Sequence, residues 1–346
     1  MAYRAAVVGA SGYTGAETLR LLAGHPDIEV VHVTASSNAG GRVAEMYPGL
    51  ALAYPDLRYE TLDVAALDGI DVVFMGLPHG ESQHHAPTLV SRAAHVVDIG
   101  ADFRLPAPTY QEWYGEAHTA PELLGSFAYG LPELFRDEIR RHPHVANPGC
   151  YPTAAALALA PLVAAGLVET TGIVVDAASG LSGRGRGLSA PSLYSEANEN
   201  MAAYGLLTHR HTAEMEMALS AVSPGSEAQL LFTPHLAPMT RGILATCYAR
   251  PTGAGLSTAG LLDHYRQFYA GEQFVAVAEA PPSTKATLGG NAAHLTVRFD
   301  ARTGYVLAIA ALDNLVKGAS GQAVQNANIL LGLGEETGLS ALGTTP

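Results

Sequence analysis

Cys150 lies in the segment Asn147-Pro148-Gly149-Cys150-Tyr151-Pro152-Thr153, just where the residues that follow predict a helix. Pro152 is tolerated in a first turn. A thiol at a helix start feels the positive end of the helix dipole, which favours the thiolate, the nucleophilic form. Gly149 leaves room for a substrate next to it. The plain alternative is an inert buried cysteine, which is how Cys247, in Thr246-Cys247-Tyr248, is read. A nucleophile of this kind needs an acid/base partner. His209-Arg210-His211 offers two imidazoles just ahead of a helical run at 212–219. Alternate residues of an extended stretch point the same way, so both rings can face one pocket. The chain's other histidines, His84, His85 and His142 among them, read as surface residues.

Two segments could bind anions. The stretch 179–187 follows a strand and carries Ser179, Gly180, Ser182, Gly183, Arg184 and Arg186. Its hydroxyls, backbone N–H groups and guanidiniums suit a phosphate. Arg104, in Asp102-Phe103-Arg104 after another strand, could clamp a carboxylate or phosphate. For each arginine the bland reading is a solvated surface charge.

A third constellation points to a nucleotide. The first strand runs into Gly9-Ala10-Ser11-Gly12-Tyr13-Thr14-Gly15, where a helix begins. Glycines allow a tight turn and close approach of a pyrophosphate, and a helix N-terminus offers N–H groups and partial positive charge. The pattern is G-x-x-G-x-x-G rather than G-x-G-x-x-G, so its position between a strand and a helix carries the reading. The second strand ends in Thr34-Ala35-Ser36-Ser37-Asn38, with Arg42 following. An NAD site usually has Asp or Glu there. Here Ser36, Ser37 and Arg42 suit a 2′-phosphate, which favours NADP(H).

The elements that must position these residues form two groups. Strands are expected at 5–8, 29–34, 71–75 and 95–99, with helices at 12–23 and 82–93, because short β-branched runs alternate with helical spacing. Alternating βα units imply a parallel sheet covered on both faces. The character changes near Asn147. A helix at 151–165, capped by Gly166, precedes strands at 172–177, 229–232, 243–249 and 294–300, which suggest a mixed or antiparallel sheet. The stretch 313–331 has helical spacing and could pack back on the first domain. The expected fold class is therefore α/β, a Rossmann-type parallel sheet plus an α+β catalytic domain. The expected division is 1–149 with 313–346 for NADP, and 150–312 for catalysis and oligomerisation.

Composition narrows the classes further. With 346 residues, 48% hydrophobic and only 15% charged, the chain suits a compact enzyme rather than a disordered protein. The net charge of −13, without a basic stripe, argues against nucleic acid. It also means that an anion site must be built locally. The longest apolar run, 153–167, is Ala-rich and broken by Pro161, too short to span a bilayer. No basic-then-apolar leader opens the chain, and two distant cysteines fit a reducing compartment, so it reads as cytoplasmic. No Cys or His spacing resembles a metal site.

Taken together and in order, the motifs resemble the N-acetyl-gamma-glutamyl-phosphate reductase family of arginine biosynthesis. The resemblance rests on GASGYTG (9–15), GLPHG (76–80), ADFRL (101–105), YGLPEL (129–134), NPGCYPT (147–153), SGLSGRGR (179–186), HRH (209–211), PMTRG (238–242) and DNLVKGASGQAVQN (313–326), and covers nearly the whole chain. One departure is Arg184, where a small residue is expected. The resemblance implies a fold like glyceraldehyde-3-phosphate and aspartate-semialdehyde dehydrogenases, with Cys150 as nucleophile and His211 as acid/base. It implies substrate contacts from Arg104, Ser182, Arg186 and His209, and cofactor contacts that add Pro78, Ser179, Gly180 and Asn314 to the loop and strand-end residues. The implied reaction is NADPH-dependent reduction of N-acetyl-L-glutamyl 5-phosphate to the 5-semialdehyde through a cysteine thioester, releasing inorganic phosphate. A homotetramer or dimer is implied as well. The alternatives are a reductase of carrier-protein-linked aminoadipyl phosphate, in lysine biosynthesis, and a nucleotide-binding redox sensor with Cys150 as the sensing thiol.

Overall fold

A computed structural model describes residues 2–344 of the chain. The chain divides into two compact units: residues up to Pro148 with Ala319–Leu339, and Gly149–Gly318 with the stretch from Ser340. Gly149, residues 313–318 and the stretch from Ser340, all read above with the nucleotide domain, cluster with the second unit.

The first unit is built on a six-stranded, all-parallel sheet in the order β2-β1-β3-β4-β6-β5. Its strands are β1 (Tyr3–Val8), β2 (Ile28–Val33), β3 (Val72–Met75), β4 (His95–Asp98), β5 (Phe127–Tyr129) and β6 (His144–Ala146). β3 is buried at every position, as a parallel strand covered on both faces must be. Helices α1 (Tyr13–Leu22), α2 (Val43–Met46), α3 (Ser82–Leu89), α4 (Ala107–Tyr114) and α5 (Pro132–Arg141) lie between the strands. The first four strands fall where periodicity predicted them. β5 and β6 have three residues each, too few to show a period.

The second unit carries a seven-stranded mixed sheet, β11-β12-β13-β10-β7-β9-β8. Its strands are β7 (Ile173–Ser179), β8 (Ala202–Ala203), β9 (Leu230–Leu236), β10 (Ile243–Ala249), β11 (Val275–Val277), β12 (Ala293–Asp300) and β13 (Tyr305–Leu312). The helices are α6 (Cys150–Ala164), α7 (Tyr194–Ala197), α8 (His211–Val222) and α9 (Thr258–Phe268). β7 and β10 alternate buried and half-exposed residues, the mark of a sheet with one packed face. That face receives α6, which is buried from Tyr151 to Val163. A π-helical turn, Val316–Ser320, then leads to α10 (Gly321–Leu330), which packs on α1 and α5 within the first unit.

Pro161 inside α6 explains one feature of the core. A proline has no N–H for the carbonyl four residues back. That carbonyl, on Leu157, accepts instead from the Tyr269 hydroxyl at 2.6 Å, beyond the end of α9. The Tyr265 hydroxyl of α9 donates to Ala158 O. At its other end α6 stops where expected: Gly166, with φ +62°, takes the left-handed position past the helix. No helix among the described residues is long and apolar enough to cross a membrane.

Removing the Tyr269 hydroxyl orphans a buried carbonyl, at a cost of about 1–3 kcal/mol. Tyr269→Phe should therefore lower the denaturant midpoint measurably while leaving the slope of the transition unchanged. An unshifted midpoint would mean that Leu157 O gains nothing from that hydroxyl.

Candidate active site

Cys150 is the first residue of α6, and Gly149 is its N-cap with no side-chain cap. The Thr153 N–H and hydroxyl both donate to Gly149 O, at 3.0 and 2.9 Å. The Gly149 N–H donates to Glu214 Oε1 at 2.7 Å. Glu214 is in the first turn of α8 and only 2% exposed, so this bond ties the starts of α6 and α8 together. The first-turn N–H groups of Cys150 and Tyr151 are directed out of the helix end, where charge on a bound oxygen would develop. Gly318, in the π-turn, backs the cysteine so closely that an added Cβ would come within 2.9 Å of Cys150 Cβ.

His211 is the first residue of α8, so the segment turns helical there instead of staying extended. The two imidazoles nonetheless share one cavity with Cys150, because His209 folds back: its Nδ1 accepts from the His211 N–H at 3.2 Å. Their ring centroids are 4.8 Å apart, and Tyr151 stands edge-on to both. Burial, and then the Arg210 charge, pushes His209 down to about 4. It is therefore neutral near neutral pH and can act as an acceptor. Tyr204 donates to the Tyr151 hydroxyl at 3.2 Å, and Tyr151 donates to His235 O at 3.1 Å. Burial holds Tyr204 up near 12 and raises Tyr151 as well, so both stay protonated donors.

The cavity holds about 400 Å³, and Ser179, Gly183, Arg184 and Leu236 complete its lining. Arg184, the departure from the expected pattern, lines it; Arg184 and Arg186 are both exposed, and Arg186 is not among the lining residues. The expectation of available N–H groups in this stretch is corrected. Gly180, Leu181 and Ser182 donate to Gly242, Met239 and Thr240 carbonyls, and Gly183 and Gly185 donate within the turn. The 238–242 segment takes the first three of these amides and the turn itself the other two, so these five form no anion nest. Gly180 must be glycine for this pairing, since a Cβ would lie 2.7 Å from Arg241 N. Ser182 is buried, and its hydroxyl accepts from Asn314 Nδ2 at 3.0 Å. Asn314 Oδ1 accepts from the Gly242 N–H at 2.7 Å, so its amide braces this turn. Cys247 is fully buried in β10, which pushes its thiol up.

Tyr151, Tyr204 and Glu214 escaped the sequence reading. Glu214 had a usable signal, since it lies one helical turn after His211, on the same face of α8.

The glycine loop stands in the first unit, at the C-terminal ends of β1 and its neighbours. Gly9 has φ +80°, and a Cβ there would meet Gly76 O at 2.4 Å. At Gly15 a Cβ would lie 2.5 Å from Ala10 Cα, so this glycine lets α1 approach the strand. Gly12 is the N-cap of α1, without a side-chain cap, and a Cβ there would meet nothing nearer than 3.7 Å. An uncapped helix start with open space before it fits a dinucleotide pyrophosphate. Tyr13 and Thr14 form the first turn; Thr14 O accepts from Ser320 Oγ at 2.8 Å, and Ser11 O from the Tyr47 hydroxyl at 2.8 Å. Ser36, Ser37 and Pro78 are exposed just past β2 and β3. Arg42 faces Glu45 at 3.9 Å. One carboxylate does reach the end of β2, from outside that strand. Glu60 bridges Thr34, with Oε2 3.5 Å from His32 Nδ1.

Arg104 is also in the first unit, 8% exposed, and donates to Ile99 O at 2.9 Å. Its charge acts on Asp98, a carboxyl that burial, and then Asp102, pushes up to about 7.

The depressed His209 gives a pH test. Its folded value lies near 4 and the ordinary value is 6.5. Between these the unfolded chain binds the extra proton, so stability is full above about 6.5 and is lost as pH falls toward 4. Thermal midpoints taken from pH 7 to 4 should fall less steeply for His209→Asn than for the unchanged protein. Equal slopes would show that the imidazole protonates freely in the folded state.

Comparison with known proteins now adds to this geometry. Residues 4–142 match the family described as the semialdehyde dehydrogenase NAD binding domain, and residues 150–314 the semialdehyde dehydrogenase dimerisation domain. An N-acetyl-gamma-glutamyl-phosphate reductase of Symbiobacterium thermophilum is 50% identical, the match covering 98% of each chain. One from Pelotomaculum thermopropionicum is 47% identical over the full length of both. In fold, the chain is similar to aspartate semialdehyde dehydrogenase II of Vibrio cholerae, with TM-score 0.71 at 16% identity over 96% of this chain and 98% of that one. The chain belongs to the N-acetyl-gamma-glutamyl-phosphate reductase family.

Proposed function

We propose that this chain reduces N-acetyl-L-glutamyl 5-phosphate to N-acetyl-L-glutamate 5-semialdehyde, with release of phosphate, using NADPH. The carrying observation is the thiol at the start of α6 sharing one cavity with two imidazoles, in a chain whose close relatives bear that enzyme's name. Their names give no support to the carrier-linked aminoadipyl alternative.

The chemistry begins with Cys150. Its thiolate, favoured at the helix end, attacks the acyl carbon; the C–S bond forms, phosphate leaves with the C–O bonding pair, and a thioester remains. The N–H groups of the α6 first turn receive the oxyanion that develops on the acyl oxygen. A nicotinamide cofactor, when bound, supplies the hydride that converts the thioester to a thiohemiacetal. His211 gives a proton to the oxygen as that charge forms, and takes it back as the C–S bond breaks and the aldehyde departs. His209 contacts the substrate. As a neutral acceptor of the His211 N–H, it also fixes where α8 begins.

The 2′-phosphate of NADP would be held by Ser36, Ser37 and Arg42, and the pyrophosphate by the 9–15 loop with Pro78 nearby. Glu60 counts against a 2′-phosphate only if it turns from His32 toward that end of β2. We place Arg104, Arg186, Ser182, Ser179, Gly180 and Asn314 around the substrate and cofactor in supporting roles. Arg104 and Asn314 already hold protein carbonyl or hydroxyl groups and so act by bracing. A cytoplasmic homo-oligomer, dimer or tetramer, completes the reading. The match to a dimerisation domain supports it, as do half-exposed Val174, Tyr248 and Leu307 side by side on the open sheet face.

The reverse assay tests the reading: N-acetyl-L-glutamate 5-semialdehyde with phosphate should reduce NADP, and NAD far less efficiently. Cys150→Ser should abolish turnover. His211→Ala should retain a residue of activity, since a positioned acid/base contributes roughly 10²–10⁴-fold. No phosphate-dependent reduction by the unchanged enzyme would refute the function, and substantial activity in Cys150→Ser would refute the covalent route.

A further inference from the structure

Arg184 occupies a position that the reaction above leaves without a role. It ends the 3-10 turn Leu181–Arg184, and Gly185 follows with φ +79°, which turns the chain away and leaves the arginine at the cavity. The guanidinium carbon lies 5.9 Å from the centre of the Tyr204 ring, a cation over an aromatic face. Among the described residues lining the cavity it is the one permanent cation, since His209 is held neutral and the tyrosines protonated. No carboxylate pairs with it among the described residues. In a chain of net charge −13, a cation without an acidic partner beside a nucleophile calls for an anionic ligand.

The proposed substrate offers two anions, a phosphate on the reacting carbon and an α-carboxylate four bonds away. Three features of the site favour the carboxylate. A phosphate site usually gathers several donors, yet the amides of Gly180, Leu181 and Ser182 are consumed by the 238–242 segment and those of Gly183 and Gly185 within the turn. One guanidinium matches one carboxylate in charge and in fork geometry, whereas a phosphate dianion would keep net charge in the cavity. Finally, phosphate departs midway, while the carboxylate must be held through both half-reactions. We infer that Arg184, steadied on the Tyr204 ring, is the residue that binds the α-carboxylate of the acyl chain and so selects for substrates that carry one. The inference rests on the proposed function for the identity of that chain.

The test has two arms. In calorimetry, N-acetyl-L-glutamine serves as an unreactive mimic with an α-carboxylate, and its α-amide as the uncharged control. The unchanged enzyme should bind the acid about 10- to 100-fold more tightly than the amide, the range of a charge-assisted bidentate bond. Arg184→Gln should lose that preference, and Arg184→Lys should keep part of it. In the reverse assay, Arg184→Gln should raise KM for the semialdehyde by a similar factor and leave KM for phosphate within about twofold. Undiminished discrimination in Arg184→Gln, or a rise in the phosphate KM alone, would overturn the assignment. The calorimetric arm needs no turnover, so it decides Arg184 even if the unchanged enzyme proves inactive on this substrate.

Discussion

The site depends on one buried hydrogen bond, from the Gly149 N–H to Glu214. Two helices that begin more than sixty residues apart in sequence must present their first turns to one cavity, and neither N-cap carries a side-chain cap of its own. Glu214, inside the first turn of α8, caps the approach to α6 in trans. The same contact therefore sets Cys150 at the end of one helix dipole and His211 at the start of the other. A carboxylate taken out of water is costly, and it is tolerated next to two helix N-termini because both dipoles favour negative charge. Gly318 completes the arrangement from behind, where any side chain would press on the cysteine.

Much of this was legible from residue types. Cys150 at a helix start followed from Gly149, Pro152 and the apolar run behind them, and Gly166 marked where that helix ends. The first four parallel strands showed themselves by β-branched runs, and the glycine loop by its place between strand and helix. What stayed hidden depended on distant pairing. Whether the amides of 180–182 were available turned on the 238–242 segment, more than fifty residues away. The choice between Arg184 and Arg186 turned on how a short 3-10 turn ends. Glu60 reaches the end of β2 only through a bridge, and the carbonyl that Pro161 leaves without a donor in α6 is satisfied by Tyr269. Local patterns found the groups that react, and long-range contacts decided which groups support them.

Charge is sparing throughout. The cavity holds the neutral His209 imidazole, protonated tyrosine hydroxyls and one guanidinium, so much of its polarity comes from fixed dipoles rather than full charges. Such groups need no reorganisation when an oxyanion forms, which is the condition for electrostatic catalysis. They also leave the thiol as the only strong nucleophile, because Cys247 is sealed within β10.

The central claim is that Cys150 carries the acyl group, and intact-protein mass spectrometry tests it most directly. Enzyme mixed with N-acetyl-L-glutamyl 5-phosphate in the absence of reduced cofactor should gain the mass of one N-acetyl-glutamyl group. The adduct should map to Cys150 on digestion, vanish when NADPH is added, and be absent from Cys150→Ser. An unmodified protein under conditions that support turnover, or an adduct on another residue, would contradict the account.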